Sequence, residues 1–152
     1  MNDDLDRTFI HEASHVVIGR ALGAQGDLFV WRESTLHPWR GRACIEVAEA
    51  SHRILVALAG SIAEDVLDAQ GCVREHRPTP AALYADADAQ RSDAAVMYLS
   101  DADLLLAEGF TTDHFASAMD LVILHAPKIA SLARTAIEAA AKSASALGFP
   151  PP

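Results

Sequence analysis

The residues best suited to chemistry lie in the segment FIHEASHVVIG, residues 9–19, where His11, Glu12 and His15 form the pattern H-E-x-x-H. On a helix, positions four apart lie one above the other, so His11 and His15 can offer imidazole nitrogens to one metal ion. Glu12 is rotated by about 100° from His11 and lies beside such an ion without binding it. The pattern predicts a zinc peptidase site in which Glu12 takes a proton from water.

The alternative interpretation is a surface helix that carries two histidines and a glutamate without binding a metal. Neighbouring residues weigh against this alternative because they form an apolar stripe along the same helix. The stripe consists of Ile10, Ala13, Val16, Val17, Ala21 and Leu22. Histidines at the edge of a buried face need partners, and a metal ion is a suitable one. We therefore expect both histidines to bind a metal.

Composition limits the class of protein. The 152 residues carry 12 basic and 21 acidic side chains, a net charge of −9, which disfavours nucleic acid and anionic membranes as partners. Two cysteines are too few for a disulfide scaffold, and neither a signal peptide nor an apolar run long enough to span a bilayer is recognised. We expect a cytoplasmic protein with one domain over residues 1–147 and a Pro-rich tail over 148–152.

The hydrophobic periodicity predicts a mainly α-helical fold with a small β-sheet of two or three short strands after the first helix. The first two helices are expected at residues 4–22 and 49–69, and the strands between them at 27–31 and 42–47. Gly60 interrupts the apolar face of the second helix, where glycine is unfavourable relative to alanine. We attribute this glycine to another backbone that passes close by.

The second half of the chain is expected to be helical after a loop at residues 72–84. Helices are predicted at residues 87–107, a region that the pair Ser100-Asp101 can interrupt, and at 112–124 and 127–146. Pro127 would occupy the first turn of the last helix, where proline is tolerated.

A catalytic zinc site needs a third protein ligand beyond two histidines. Two carboxylates on later helices qualify: Glu64 in AGSIAED and Asp93 in RSDAAVMYL. Spacing does not choose between them, because each needs only a return of the chain to the first helix. Asp101 and Asp103 are interpreted as surface charges.

Three segments in order, HEASHVVIGRALG, AGSIAEDVLDAQG and SDAAVMYL, resemble the protease domain of the FtsH family of zinc metallopeptidases. That family shows HEAGHA, an AGRxAEE-like helix, and an (S/N)DL-type segment that leads a helix. The resemblance implies a helical, zincin-like fold in which His11, His15 and Asp93 bind zinc. It also implies Glu12 as the general base and Glu64 as a residue beside the site that orients a histidine.

The resemblance spans roughly residues 9–135 and implies a zinc-dependent endopeptidase that cleaves peptides or unfolded proteins. FtsH enzymes also carry membrane helices and an ATPase module, whereas this sequence has no G-x-x-x-x-G-K-[ST] loop. We therefore expect it to act unaided or with a separate ATPase or adaptor. The alternative is a helical interaction module that binds zinc and has lost the ability to cleave.

Overall fold

The structure, a computed structural model, describes residues 3–32, 39–93 and 95–147. Within these ranges the elements are α1 (Asp3–Ala21), β1 (Gln25–Arg32), β2 (Trp39–Glu46), α2 (Ala50–Val66), α3 (Pro80–Ser92), α4 (Asp101–Leu106) and α5 (Thr112–Leu147). The predicted class, mainly α with a small sheet after the first helix, is confirmed. The predicted Pro-rich tail at 148–152 lies outside the described residues.

The sheet is one antiparallel pair, β1 with β2, in which Gln25 lies opposite Glu46. Its inner face packs against α1, since alternate residues of a strand point to the same side. Gly19 of α1 allows this close approach, because a Cβ there would lie 2.8 Å from Cγ2 of Ile45 on β2. The packing brings β2 alongside the helix that carries His11 and Glu12.

The core is formed where α1, α2 and α5 pack against one another. Each helix buries residues that recur every three or four positions, as expected for a helix with one apolar face. Fully buried examples are Phe9, Val16, Leu58, Ile62, Phe115, Val122 and Ile129. Many of the other buried residues are alanines, which let helices approach closely, and this brings the histidine-bearing face of α1 against α2.

The prediction of separate helices at 112–124 and 127–146 is wrong, because α5 continues through Pro127. Proline inside a helix removes one hydrogen bond and is unfavourable by about 3 kcal/mol. Val122, Ala126 and Ile129 are nevertheless all buried on one side of α5, and this packing across the proline offsets the loss.

The expectation that no apolar run is long enough to span a bilayer is corrected by α5, whose residues 112–143 are long and apolar enough to cross a membrane by length and composition. Core helices of soluble proteins meet the same test, and α5 packs against α1, α2 and α3.

The segment between α2 and α5 also differs from its prediction. α3 begins at Pro80, within the predicted loop, because the side chain of Thr79 accepts a hydrogen bond from Ala82 N–H and proline suits a first turn. The predicted helix 87–107 is interrupted between α3 and α4, and Ser100, one of the two residues expected to interrupt it, is the N-cap of α4. Gln90 stabilises this break, since its side chain accepts the N–H of Leu99 at 2.7 Å and donates to the carbonyl of the same residue at 2.8 Å.

Candidate metal centre

The two histidines of the H-E-x-x-H pattern lie between α1 and α2, and Gly60 provides the space for them. An ideal Cβ placed on Gly60 would lie 2.6 Å from Nε2 of His11 and 2.6 Å from Nε2 of His15. Any larger residue would therefore occupy the space that the two nitrogens share. The prediction that a backbone passes close to Gly60 is wrong, because imidazole rings from α1 lie there.

Hydrogen bonds at Nδ1 fix the orientation of both rings. Nδ1 of His15 lies 2.7 Å from the carbonyl oxygen of Val56, to which it can only donate. Nδ1 of His11 lies 2.5 Å from Oε1 of Glu64. With the proton on Nδ1, each Nε2 presents a free lone pair, which is the form that binds a metal ion.

Asp103 is the carboxylate that meets these nitrogens. Its Oδ2 lies 3.4 Å from Nε2 of His11, and its Oδ1 lies 3.6 Å from Nε2 of His15. Atoms that bind one tetrahedral zinc ion at about 2.0–2.1 Å lie about 3.4 Å from one another. Among the described residues, these three side chains form a group with ligand atoms within 4.8 Å of one another. The two distances from Asp103 therefore fit a metal ion of this size.

Local structure at the start of α4 holds Asp103 in place. Ser100 caps this helix, since its Oγ accepts the backbone N–H of Asp103 at 3.1 Å. The same hydroxyl donates to Oδ2 of Asp103 at 2.8 Å. Asp103 is only 8% exposed, so the interpretation of this residue as a surface charge is wrong.

The structure does not bring Asp93, the predicted third ligand, to the histidines. Asp93 ends α3 as an exposed residue, and its Oδ1 accepts the N–H of Ala95 at 2.9 Å. Asp103 lies beside the histidines instead, because the chain returns to α1 only after α3 has ended. One signal in the sequence favours Asp103, since the family pattern has Asp followed by Leu at a helix start. Leu104 follows Asp103, whereas Ala94 follows Asp93.

Glu64 was predicted either as the third ligand or as a residue that orients a histidine, and its position fits the second role. It contacts Nδ1 of His11, whereas Asp103 faces Nε2 of the same ring. Its other oxygen, Oε2, accepts a hydrogen bond of 2.9 Å from Arg7. Arg7, Glu64 and His11 thus form a chain of charge-assisted contacts behind the candidate metal ligands.

The surroundings of the two histidines shift their pKa values in opposite directions. Burial lowers the pKa of His11, but the hydrogen bonds and charges of Asp103 and Glu64 outweigh burial and raise this pKa to about 10. Burial and the neighbouring His11 lower the pKa of His15. At neutral pH without a metal, His11 is therefore protonated and His15 is neutral. A metal ion would replace the proton on His11.

The histidines open onto a cleft of about 310 Å³ that runs between β2, α2 and α4. Glu12 lines this cleft beside them, as the spacing predicts, and its Oε2 accepts the N–H of Ala43 at 2.6 Å. Further lining residues are Arg42, Ile45, Val47, Arg53, Val56, Ala57, Ser100, Ala102 and Leu106. The site therefore has a candidate base and room for a substrate next to the candidate ligands.

A comparison of this chain with known protein families finds no match, and neither does a comparison with curated protein sequences.

Proposed function

We propose that this protein is a zinc-dependent endopeptidase with His11, His15 and Asp103 as zinc ligands and Glu12 as the general base. The observation that carries the proposal is the convergence of two Nε2 atoms and one carboxylate within 4.8 Å. This convergence occurs at a cleft that Glu12 also lines. The proposal retains the FtsH-like peptidase prediction, with Asp103 in place of Asp93.

The donor set favours zinc over other common ions. Two imidazole nitrogens and one carboxylate oxygen are typical of catalytic zinc sites, which keep a fourth position for water or substrate. Calcium and magnesium prefer oxygen ligands throughout. Zinc bound by these residues would supply Lewis acidity and would lower the pKa of a coordinated water toward about 7.

Glu12 is positioned for proton transfer. Ala43 N–H holds its Oε2, which leaves Oε1 to accept a proton from the attacking water and to pass it to the leaving amine. Glu64 and the carbonyl of Val56 keep protons on the Nδ1 atoms, so that both Nε2 atoms remain available.

The edge of β2 suits an extended peptide as substrate. Ala43 N–H is directed to Glu12, away from β1, and backbone groups of an edge strand alternate in direction. The carbonyl of Ala43 and the N–H and carbonyl of Ile45, both residues on the cleft wall, therefore remain to form backbone hydrogen bonds with a peptide that adds to the sheet. Peptides and unfolded segments can adopt this extended form, and folded substrates would require a separate ATPase or adaptor.

The alternative function is a zinc-binding interaction module without catalysis. One observation favours it: the bond from Ala43 to Glu12 ties β2 to α1, which gives the glutamate a structural role. The two functions differ in whether zinc binding is accompanied by cleavage.

Elemental analysis and a peptidase assay of the wild type and Glu12→Gln test the proposal. We expect one zinc ion per chain in both proteins, and casein or peptide hydrolysis that falls by about 100-fold or more in the variant. Glu75→Gln, at an exposed loop residue, is the matched control and should keep full activity. Zinc without cleavage in the wild type would favour the interaction module, and absence of zinc from the purified and zinc-treated protein would contradict both functions.

A further inference from the structure

One face of α2 continues from the candidate metal centre along the cleft and ends at Arg53. Arg53, Val56 and Ala57 line the cleft, and Gly60 lies against the two histidines. These positions follow the spacing i, i+3, i+4 and i+7, which places them on one side of a helix. Arg53 therefore lies at the far end of the same surface that adjoins the reacting centre.

The distance between Arg53 and the centre matches a short stretch of extended peptide. Seven residues of α-helix span about 10 Å, whereas an extended chain rises about 3.3 Å per residue. A peptide that lies in the cleft along this face of α2 would thus bring a residue two or three positions from the scissile bond next to Arg53.

Charge makes Arg53 a candidate receptor for a carboxylate. Within the described part of the chain, Arg53 has no hydrogen-bonded or ion-paired side-chain partner, and the nearby Glu49 pairs with His52 at 3.4 Å. The acidic residues of the cleft, Glu12 and Asp103, are engaged by Ala43 N–H and by the histidines. An arginine available to a ligand is notable in a chain with a net charge of −9.

The surroundings of Arg53 would strengthen such a contact. Apolar side chains line the same cleft, among them Val47, Val56 and Leu106. A peptide lying over them would displace water, and the guanidinium fork matches a carboxylate with two parallel hydrogen bonds.

We propose that Arg53 is a specificity residue that binds a carboxylate carried by the substrate two or three residues from the scissile bond. This inference rests on the proposed peptidase function and deepens it by naming the substrate class. The carboxylate can belong to an Asp or Glu side chain or to the C-terminus of the peptide. Antiparallel addition to β2 puts the residue near Val47 on the N-terminal side of the scissile bond, which favours a side chain.

Binding of defined peptides to zinc-loaded Glu12→Gln protein tests the inference without hydrolysis. The probes are acetylated and amidated octapeptides of alanine and leucine in which one Glu, or one Gln, occupies each position in turn. A second set carries no Glu and has a free C-terminal carboxylate. We expect Glu at one position to improve the dissociation constant in calorimetry about threefold to tenfold over Gln.

The same measurements are repeated on zinc-loaded Glu12→Gln protein that also carries either Arg53→Gln or Arg53→Glu. The preference should disappear in the first variant and reverse in the second, while the charge-matched control Arg77→Glu, at an exposed loop residue outside the cleft, should retain it. Equal binding of Glu and Gln peptides to the parent protein, or an unchanged preference in Arg53→Gln, would overturn the inference.

Cleavage of the same peptides by the wild type separates the two proposals. Hydrolysis of Glu and Gln peptides at equal rates, with equal binding, would overturn the role of Arg53 and leave the peptidase function intact. An Arg53-dependent preference in binding, without hydrolysis of any peptide, would support the carboxylate site and count against the peptidase function.

Discussion

Oε1 of Glu64 lies 2.5 Å from Nδ1 of His11, on the opposite side of the imidazole ring from Asp103. The ring therefore has one carboxylate at each nitrogen, from α2 and from α4. Without a metal this arrangement stabilises a protonated histidine, and with a metal it fixes the tautomer that binds. The same three side chains thus account for the raised pKa of His11 and for its suitability as a ligand.

Glu64→Gln should lower the zinc affinity about 10- to 100-fold, because the neutral amide orients His11 less firmly and makes it less basic. Arg7→Ala should have a smaller effect in the same direction, since Arg7 contacts Glu64 and Glu64 in turn contacts His11. Competition with a chromophoric chelator gives the affinities, and Glu75→Gln serves as the control. Unchanged affinity in Glu64→Gln would show that the contact does not support the metal site.

Asp103→Asn should abolish stoichiometric zinc binding, whereas Asp93→Asn should leave it unchanged. The reason is that Asp103 faces both Nε2 atoms and Asp93 is an exposed residue that bonds to Ala95 N–H. Both substitutions remove one negative charge, so the pair is matched. Zinc content after dialysis is the measurement, and loss of zinc in Asp93→Asn alone would restore the original assignment of the third ligand.

Gly60→Ala should prevent zinc binding, since the added methyl group would lie 2.6 Å from each Nε2. Alanine is the better helix former by about 1 kcal/mol, so helix propensity cannot account for a loss. Ser51→Ala, at an exposed position of the same helix, is the control, because it also introduces the better helix former but lies away from the histidines. Circular dichroism of both variants checks the fold, and a zinc titration of Gly60→Ala that equals the wild type would contradict the close approach.

The free energy of unfolding of the metal-free protein should be greatest near neutral pH. The pKa of His11 is raised from 6.5 to about 10, so its contribution is complete below pH 6.5 and is lost as the pH rises toward 10. The pKa of His15 is lowered from 6.5, so its contribution is complete above pH 6.5 and is lost as the pH falls. Both effects make the metal-free protein less stable away from neutrality.

Urea unfolding in the presence of a chelator, measured from pH 5 to pH 10, tests this expectation. His11→Gln should flatten the decline on the alkaline side relative to the wild type, because the group that titrates there is absent. An alkaline decline of equal slope in both proteins would show that His11 does not cause it.

The sequence by itself determined the features that depend on neighbours along the chain. Residues His11 and His15 share a face because the period of one helix fixes their relation, and Glu12 follows from the same period. Two short β-prone segments separated by a polar loop likewise predicted the paired strands, although β2 begins and ends earlier than expected. The mainly α class follows from the apolar periodicity of α1 and α2.

Tertiary structure alone decided which carboxylate meets the histidines. Asp93 and Asp103 differ by only ten positions, and the choice depends on where α3 ends and how Gln90 holds the turn before α4. The sequence also did not show why position 60 is a glycine, because the side chains that lie against it come from α1. Local patterns specify faces of single elements, whereas contacts between distant residues depend on how the whole chain packs.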